Sequence, residues 1–314
     1  MPLNTAAVTS SKNEPRISEA LRTGVLIHFG ICSILGLLLN LMLLTILVKK
    51  LKKNAHVDIK LCTFVTVMDI SVCCCLLFRA IFAKYPYNIL EAHSNWCKFD
   101  LLTGTQVLLY SGYSLGIMSL ERFLLICYNI KFSFIYWIIV ICLTCIPQFA
   151  MVCVVVAKNL QIMVKIKVYC SFFPKGMGVI VYIWATVMFF IAFSSVIISY
   201  LGIMIVKYKQ CLNQLNLNVP RDKVLKECRS TLFKSLLYIV LYILIFSGKI
   251  YCLVFELITG QKRTIVMDLI STMLISCSSL VNALIVFYMN SEVRESFLKL
   301  TNQIIISIKN IRTR

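Results

Sequence analysis

The sequence predicts an all-α membrane protein: a seven-transmembrane helix bundle with a short amphipathic eighth helix on the inner leaflet. Three observations predict it. Hydrophobic residues make up 60% of the 314, with mean hydropathy +0.87, more apolar than the surface of a soluble domain tolerates. The apolar residues fall into runs of about 20 with few charges, the length that crosses a hydrocarbon core as helix. Lysine and arginine concentrate in alternate connections between those runs.

Residues 1–23 carry Lys12, Glu14, Arg16 and Glu19 and no apolar core. They are expected to be an extracellular tail rather than a cleavable signal peptide. Spans are expected at 24–48, 59–83, 97–127, 135–157, 177–206, 231–257 and 265–290, forming one seven-transmembrane domain over 24–290. In 291–314 the apolar residues Val293, Phe297, Leu300, Ile304 and Ile308 recur at helical spacing between charges, as in a cytoplasmic helix lying on the membrane surface.

Connections 49–58, 128–134 and 207–230 and the tail hold the densest basic groups, led by Lys49, Lys50, Lys52 and Lys53. That side is expected in the cytoplasm, with the amino terminus outside and the chain in the plasma membrane. Lys158, Lys165, Lys167, Lys175, Lys262 and Arg263 on the other side lessen the contrast. The net charge of +19 is spread over short loops with no nucleic-acid motif, so it points to anionic lipid headgroups and not to nucleic acid. Most of the 15 cysteines, such as Cys73, Cys74, Cys75, Cys142, Cys145 and Cys277, sit inside spans and read as small hydrophobes. Cys97 and Cys170 are the pair placed in the expected outer zone, where the compartment oxidises.

Few polar groups lie deep in the spans: Asn40, Asp69, Ser111, Ser278 and Asn282. A buried carboxylate must be protonated, paired or bound to a cation. Asp69 therefore has two readings: a neutral member of an interhelical hydrogen-bond knot, or a ligand of a small hard cation such as sodium. At the end of the third run stand Glu121, Arg122 and Phe123. Arg122 lies about 37 Å along a helix from Cys97, at the opposite interface. There an arginine pairs with a neighbouring carboxylate or holds open a site for a partner protein.

In joint register these residues resemble the rhodopsin-like (class A) G-protein-coupled receptors. Asn40, Asp69 and Ser111 stand where that family has its first-helix asparagine, second-helix aspartate and sodium-site serine. Cys97, Glu121 and Arg122 match its third-helix cysteine and acid-arginine pair, with Phe123 for the usual tyrosine. Trp137, Pro147, Cys170 and Asn282 match further family positions, as does Val293-Arg294 with Phe297. The resemblance implies a Cys97–Cys170 disulfide, an extracellular ligand and an allosteric sodium ion. It also implies a heterotrimeric G protein admitted beside Arg122 when the inner ends of helices five and six move outward. Tyr200 is expected to meet Arg122 in the active state and Glu227 to hold it at rest. The chain departs from the family at Ala283 and Val286, at Phe246-Ser247-Gly248 and at Ala192, where prolines and aromatics usually form the bends.

Gly104 takes the place of the aspartate of amine receptors, so an amine ligand is not expected. No lysine occurs between Arg263 and Lys299, which excludes a retinal Schiff base; no other cofactor is implied. Arg79, Asp100, Lys249, Glu256 and Asp268 are the charged residues of the outer half. Unpaired, Arg79 and Lys249 would favour a carboxylate or phosphate ligand; paired with Asp100 and Asp268, they would be structural. An enzyme is not expected: the three histidines, His28, His56 and His93, are scattered, and no nucleophile has a base beside it. The alternative is a seven-helix protein without G-protein coupling, acting as transporter, channel or scaffold. No internal repeat supports a transporter.

Overall fold

The computed structural model describes residues 18–51, 55–172, 175–217, 220–290, 293–299 and 301–302. Expectations for the tail before Ser18, for Lys52 and Lys53, and for Leu300, Ile304 and Ile308 lie outside them. The long helices are α1 (Glu19–Lys50), α2 (Val57–Phe82), α5 (Gln106–Tyr128), α6 (Phe134–Ala157), α7 (Met177–Asn216) and α8 (Arg221–Thr259). The last transmembrane stretch is two helices, α9 (Ile265–Ser276) and α10 (Ser278–Met289). Two short helices, α3 (Ile89–Ala92) and α4 (Ser94–Asp100), precede α5, and a π-helical turn over Leu101–Thr105 joins α4 to it.

Six helical stretches are long and apolar enough to cross a membrane: α1, α2, α6, α7, α8 and α9–α10 together. The expected third span, 97–127, is not among them. Gln106, Ser111, Gly112, Ser114, Gly116 and Ser119 dilute its apolar run, and all are buried. Those residues face protein, because α5 packs against α2, α6 and α7. By contrast, Ile135, Ile139, Leu143 and Ile146 of α6 and Ile183, Phe190, Ile191 and Ile198 of α7 point outward. Apolar side chains outside and polar ones inside mark an integral membrane protein.

Local chemistry fixes several helix ends. Ser18, Ser133 and Thr264 cap α1, α6 and α9 by accepting from the amides of Leu21, Ile135 and Met267, satisfying donors left free by the first turn. Helix α5 stops at Asn129 and α8 at Gly260, both left-handed, with φ of 54° and 62°, the backbone state these two residue types tolerate best.

Two expectations are corrected. The connection expected at 207–230 is mostly helix, since α7 runs on to Asn216 and α8 begins at Arg221. An apolar-window criterion marks the hydrocarbon crossing, whereas Lys, Gln, Leu and Arg are good helix formers that extend the helix beyond it. The fold is also not purely helical: β1 (Gln161–Met163) pairs antiparallel with β2 (Cys170–Phe172), Met163 opposite Cys170. Beyond α10, residues 293–299 are helical; Val293 is buried, and the Phe297 ring centroid lies 4.3 Å from that of Phe287.

Candidate functional site: a polar file through the bundle

At one end, Cys97 of α4 is bonded to Cys170 of β2, with Cα atoms 5.4 Å apart. This bridge holds the hairpin against a buried ion pair. Arg79 donates from Nε to Asp100 Oδ1 at 2.6 Å and from Nη2 to Asp100 Oδ2 at 3.2 Å and Thr105 Oγ1 at 2.9 Å. Asp100 Oδ2 also accepts from the Cys170 amide at 2.8 Å, and Thr105 donates to the Cys170 carbonyl at 3.1 Å. Gly104 makes the room: a Cβ there would stand 2.8 Å from both Arg79 Nη2 and Asp100 Oδ1. Arg79 and Asp100 are therefore paired.

Asp268 does not pair with Lys249. It accepts from Tyr169 at 2.5 Å and meets Arg263 Nη1 at 3.5 Å. Arg263 grips both oxygens of Glu256, at 2.9 Å and 2.7 Å, and Tyr182 donates to the same carboxylate at 2.6 Å. Burial, followed by the Asp268 charge, pushes the Tyr169 phenol well above its ordinary pKa, so it stays protonated as a donor. Arg263 was counted in the sequence only as a loop charge, yet it is buried and central to this group.

Lys249 is buried and makes no hydrogen bond or ion pair among the described residues; its ammonium lies 5.8 Å from the centroid of the Tyr169 ring. Arg79 approaches the same ring at 5.2 Å. Between them is a small cavity of about 20 Å³, room for about one water, lined by Arg79, Thr105, Leu108, Leu109, Tyr169, Lys249, Thr272 and Ile275. Of the nearby tyrosines, Tyr113 and Tyr242 pack in the core, whereas Tyr251 is exposed.

Midway through the bundle, Ser111 donates to Asp69 Oδ1 at 2.6 Å. Asn282 presents its amide nitrogen to both carboxylate oxygens, at 3.2 Å and 3.1 Å. Asn40 is beside this knot rather than in it, donating to the carbonyls of Gly36 at 2.8 Å and Ser279 at 3.0 Å. Ser278 Oγ is buried without a hydrogen-bond partner among the described residues. Both Asp69 oxygens thus accept from donors, as in an interhelical hydrogen-bond knot; a small hard cation would need Asn282 to turn its amide nitrogen away.

At the other end Arg122 donates from Nε to Asp58 Oδ1 at 2.7 Å, from Nη1 to Tyr200 at 3.1 Å and from Nη2 to Cys62 Sγ at 3.4 Å. Its carboxylate partner is Asp58, in the first turn of α2, which the sequence reading missed. Topology was the signal that could have found it, since α2 begins at the end of the bundle where α5 finishes. Glu227 is exposed and does not bond Arg122, and Glu121 Oε2 is buried without a partner among the described residues. Phe123 packs on Gly202 of α7, where a Cβ would come within 2.3 Å of its ring.

These features define a helical integral membrane protein with a bridged end, a buried polar knot at mid-depth and a half-buried, ion-paired arginine at the far end. No known family model matches the chain, and no characterised protein matches it either.

Proposed function

We propose that this chain is a seven-transmembrane receptor of the rhodopsin-like class that activates a heterotrimeric G protein. The reading rests chiefly on one observation. The continuous helical run from Ser94 to Tyr128 carries the bridged Cys97, Ser111 in the polar knot and Arg122 at the opposite end. On this reading the run is the third of seven spans, and residues from 293 begin the eighth helix. The bridged end faces outside the plasma membrane, where the compartment oxidises, with the amino terminus on the same side.

The ligand binds beside Lys249, where the small cavity opens to admit it. Arg79 is neutralised by Asp100, so Lys249 is the cation left to meet a carboxylate or phosphate, and the class of ligand is anionic. Below it, Asp69, Ser111 and Ser278 offer oxygens for a sodium ion. At the inner end Asp58 holds Arg122 at rest, Tyr200 already meets the arginine as expected of the active state, and outward movement of α7 and α8 opens the cleft. A ligand drives that movement only by binding one packing more tightly than the other.

The test is nucleotide exchange on co-expressed Gα subunits. Exchange is expected with the intact chain and lost in Arg122→Ala. Solute or ion flux without exchange would instead support the non-coupling alternative, which Ala283 and Val286 favour because the usual seventh-helix bend is replaced there.

A further inference from the structure

We infer that His28, Cys32 and Cys277 form a zinc site that ties α1 to the break between α9 and α10. The inference is independent of the receptor reading. His28 and Cys32 are one helical turn apart and so share a face of α1, while Cys277 is the single residue that interrupts the last transmembrane stretch. The three donor atoms form a closed triangle. Cys32 Sγ is 3.5 Å from His28 Nε2, Cys277 Sγ is 3.7 Å from the same nitrogen, and the two sulfurs are 3.7 Å apart.

Those edges are the ones a tetrahedral zinc requires. With Zn–S of about 2.3 Å and Zn–N of about 2.0 Å, sulfurs stand about 3.8 Å apart and each sulfur about 3.5 Å from the nitrogen. Nε2 also has Ser276 Oγ at 3.0 Å and the Met273 carbonyl at 3.1 Å, so more polar atoms converge on it than one ring nitrogen can bond. Ser276 Oγ, or a water, supplies the fourth ligand.

Charge selects the metal. Two thiolates and a neutral imidazole around Zn²⁺ make a neutral unit, whereas Cu⁺ in the same set would leave a net negative charge in the low-dielectric interior. Binding costs no electron transfer; each thiol gives its proton to the solvent as the Zn–S bond forms. His28 and Cys277 are half-buried and Cys32 is buried.

The experiment uses the purified full-length chain, reduced, stripped with a chelator and returned to zinc or cobalt. One tightly held zinc per chain is expected, along with an intense thiolate-to-cobalt charge-transfer band. Cys32→Ser and Cys277→Ser should each weaken binding roughly tenfold or more and cut the band to about half, and the double variant should abolish it. The paired Cys74→Ser and Cys142→Ser control, at exposed cysteines, should change neither. Wild-type protein that binds no zinc, shows no cobalt-thiolate band or carries a Cys32–Cys277 disulfide would overturn the assignment. So would unchanged zinc affinity in Cys32→Ser. The cobalt spectrum of wild type decides the matter even if a variant fails to fold.

Discussion

Gly104 shows how one missing carbon permits a buried charge. The Arg79–Asp100 pair occupies the space a side chain would fill, so Gly104→Ala is an overpacking change expected to cost about 1–3 kcal/mol. Arg79→Ala strands the Asp100 carboxylate and should cost more, about 3–5 kcal/mol. Thermal melting of the purified protein in detergent checks both, and a Gly104→Ala variant as stable as wild type would show that the pair can shift without loss. From the sequence, Gly104 was legible only as the absence of an amine-binding acid. Its role depends on Arg79 reaching across from α2, which no local pattern records. Lys249 carries a second prediction at this scale. If an anion binds there, Lys249→Gln should weaken activation by acidic ligands while leaving basal nucleotide exchange intact, and equal potency in both proteins would count against the pocket.

The helices were legible where apolar length decided them, and illegible where contact decided them. Six stretches stand out by composition, but α5 is diluted with small and polar residues because it faces neighbouring helices on most sides. Gly116 is the sharpest instance. A Cβ there would lie 2.8 Å from the Ala192 Cα of α7, so the two backbones meet without side chains between them, as small residues allow in membrane packing. Gly116→Ala is therefore expected to push α5 from α7 and destabilise by about 1–3 kcal/mol. Gly24→Ala and Gly30→Ala in α1 meet nothing within 4 Å; they should be neutral or gain up to about 1 kcal/mol from helix propensity. The same substitution thus changes sign with its surroundings, and a melting series on the three variants measures it. The metal-ligand cluster belongs to the same lesson. His28 and Cys32 have chelating spacing in the chain, yet Cys277 joins them only through the packing of α1 against the last stretch.

On the receptor reading, a ligand's effect at the bridged end must reach Arg122 without the proline bends that the resemblance would lead one to expect. Ala192 allows α7 to lie flush on α5, and the last stretch bends at Cys277 instead of beside Asn282. The knot of Asp69, Ser111 and Asn282 then joins α2, α5 and α10 at mid-depth, while Arg122 joins α2, α5 and α7 below. Helix α2 contributes an acid to both, so a shift of α5 against α2 must disturb the two together. The Asp58–Arg122 pair is the lower of these locks, and its charge is what distinguishes it from packing. Asp58→Asn keeps the shape and removes the charge, so on the receptor reading it should raise ligand-independent nucleotide exchange, whereas Arg122→Ala should abolish exchange altogether. Glu227→Gln should leave basal exchange unchanged, because Glu227 is exposed and does not hold the arginine. Measuring exchange for the three variants at matched surface expression separates the possibilities. A basal rise in Glu227→Gln but not in Asp58→Asn would return the resting lock to α8 and leave Asp58 as a structural partner.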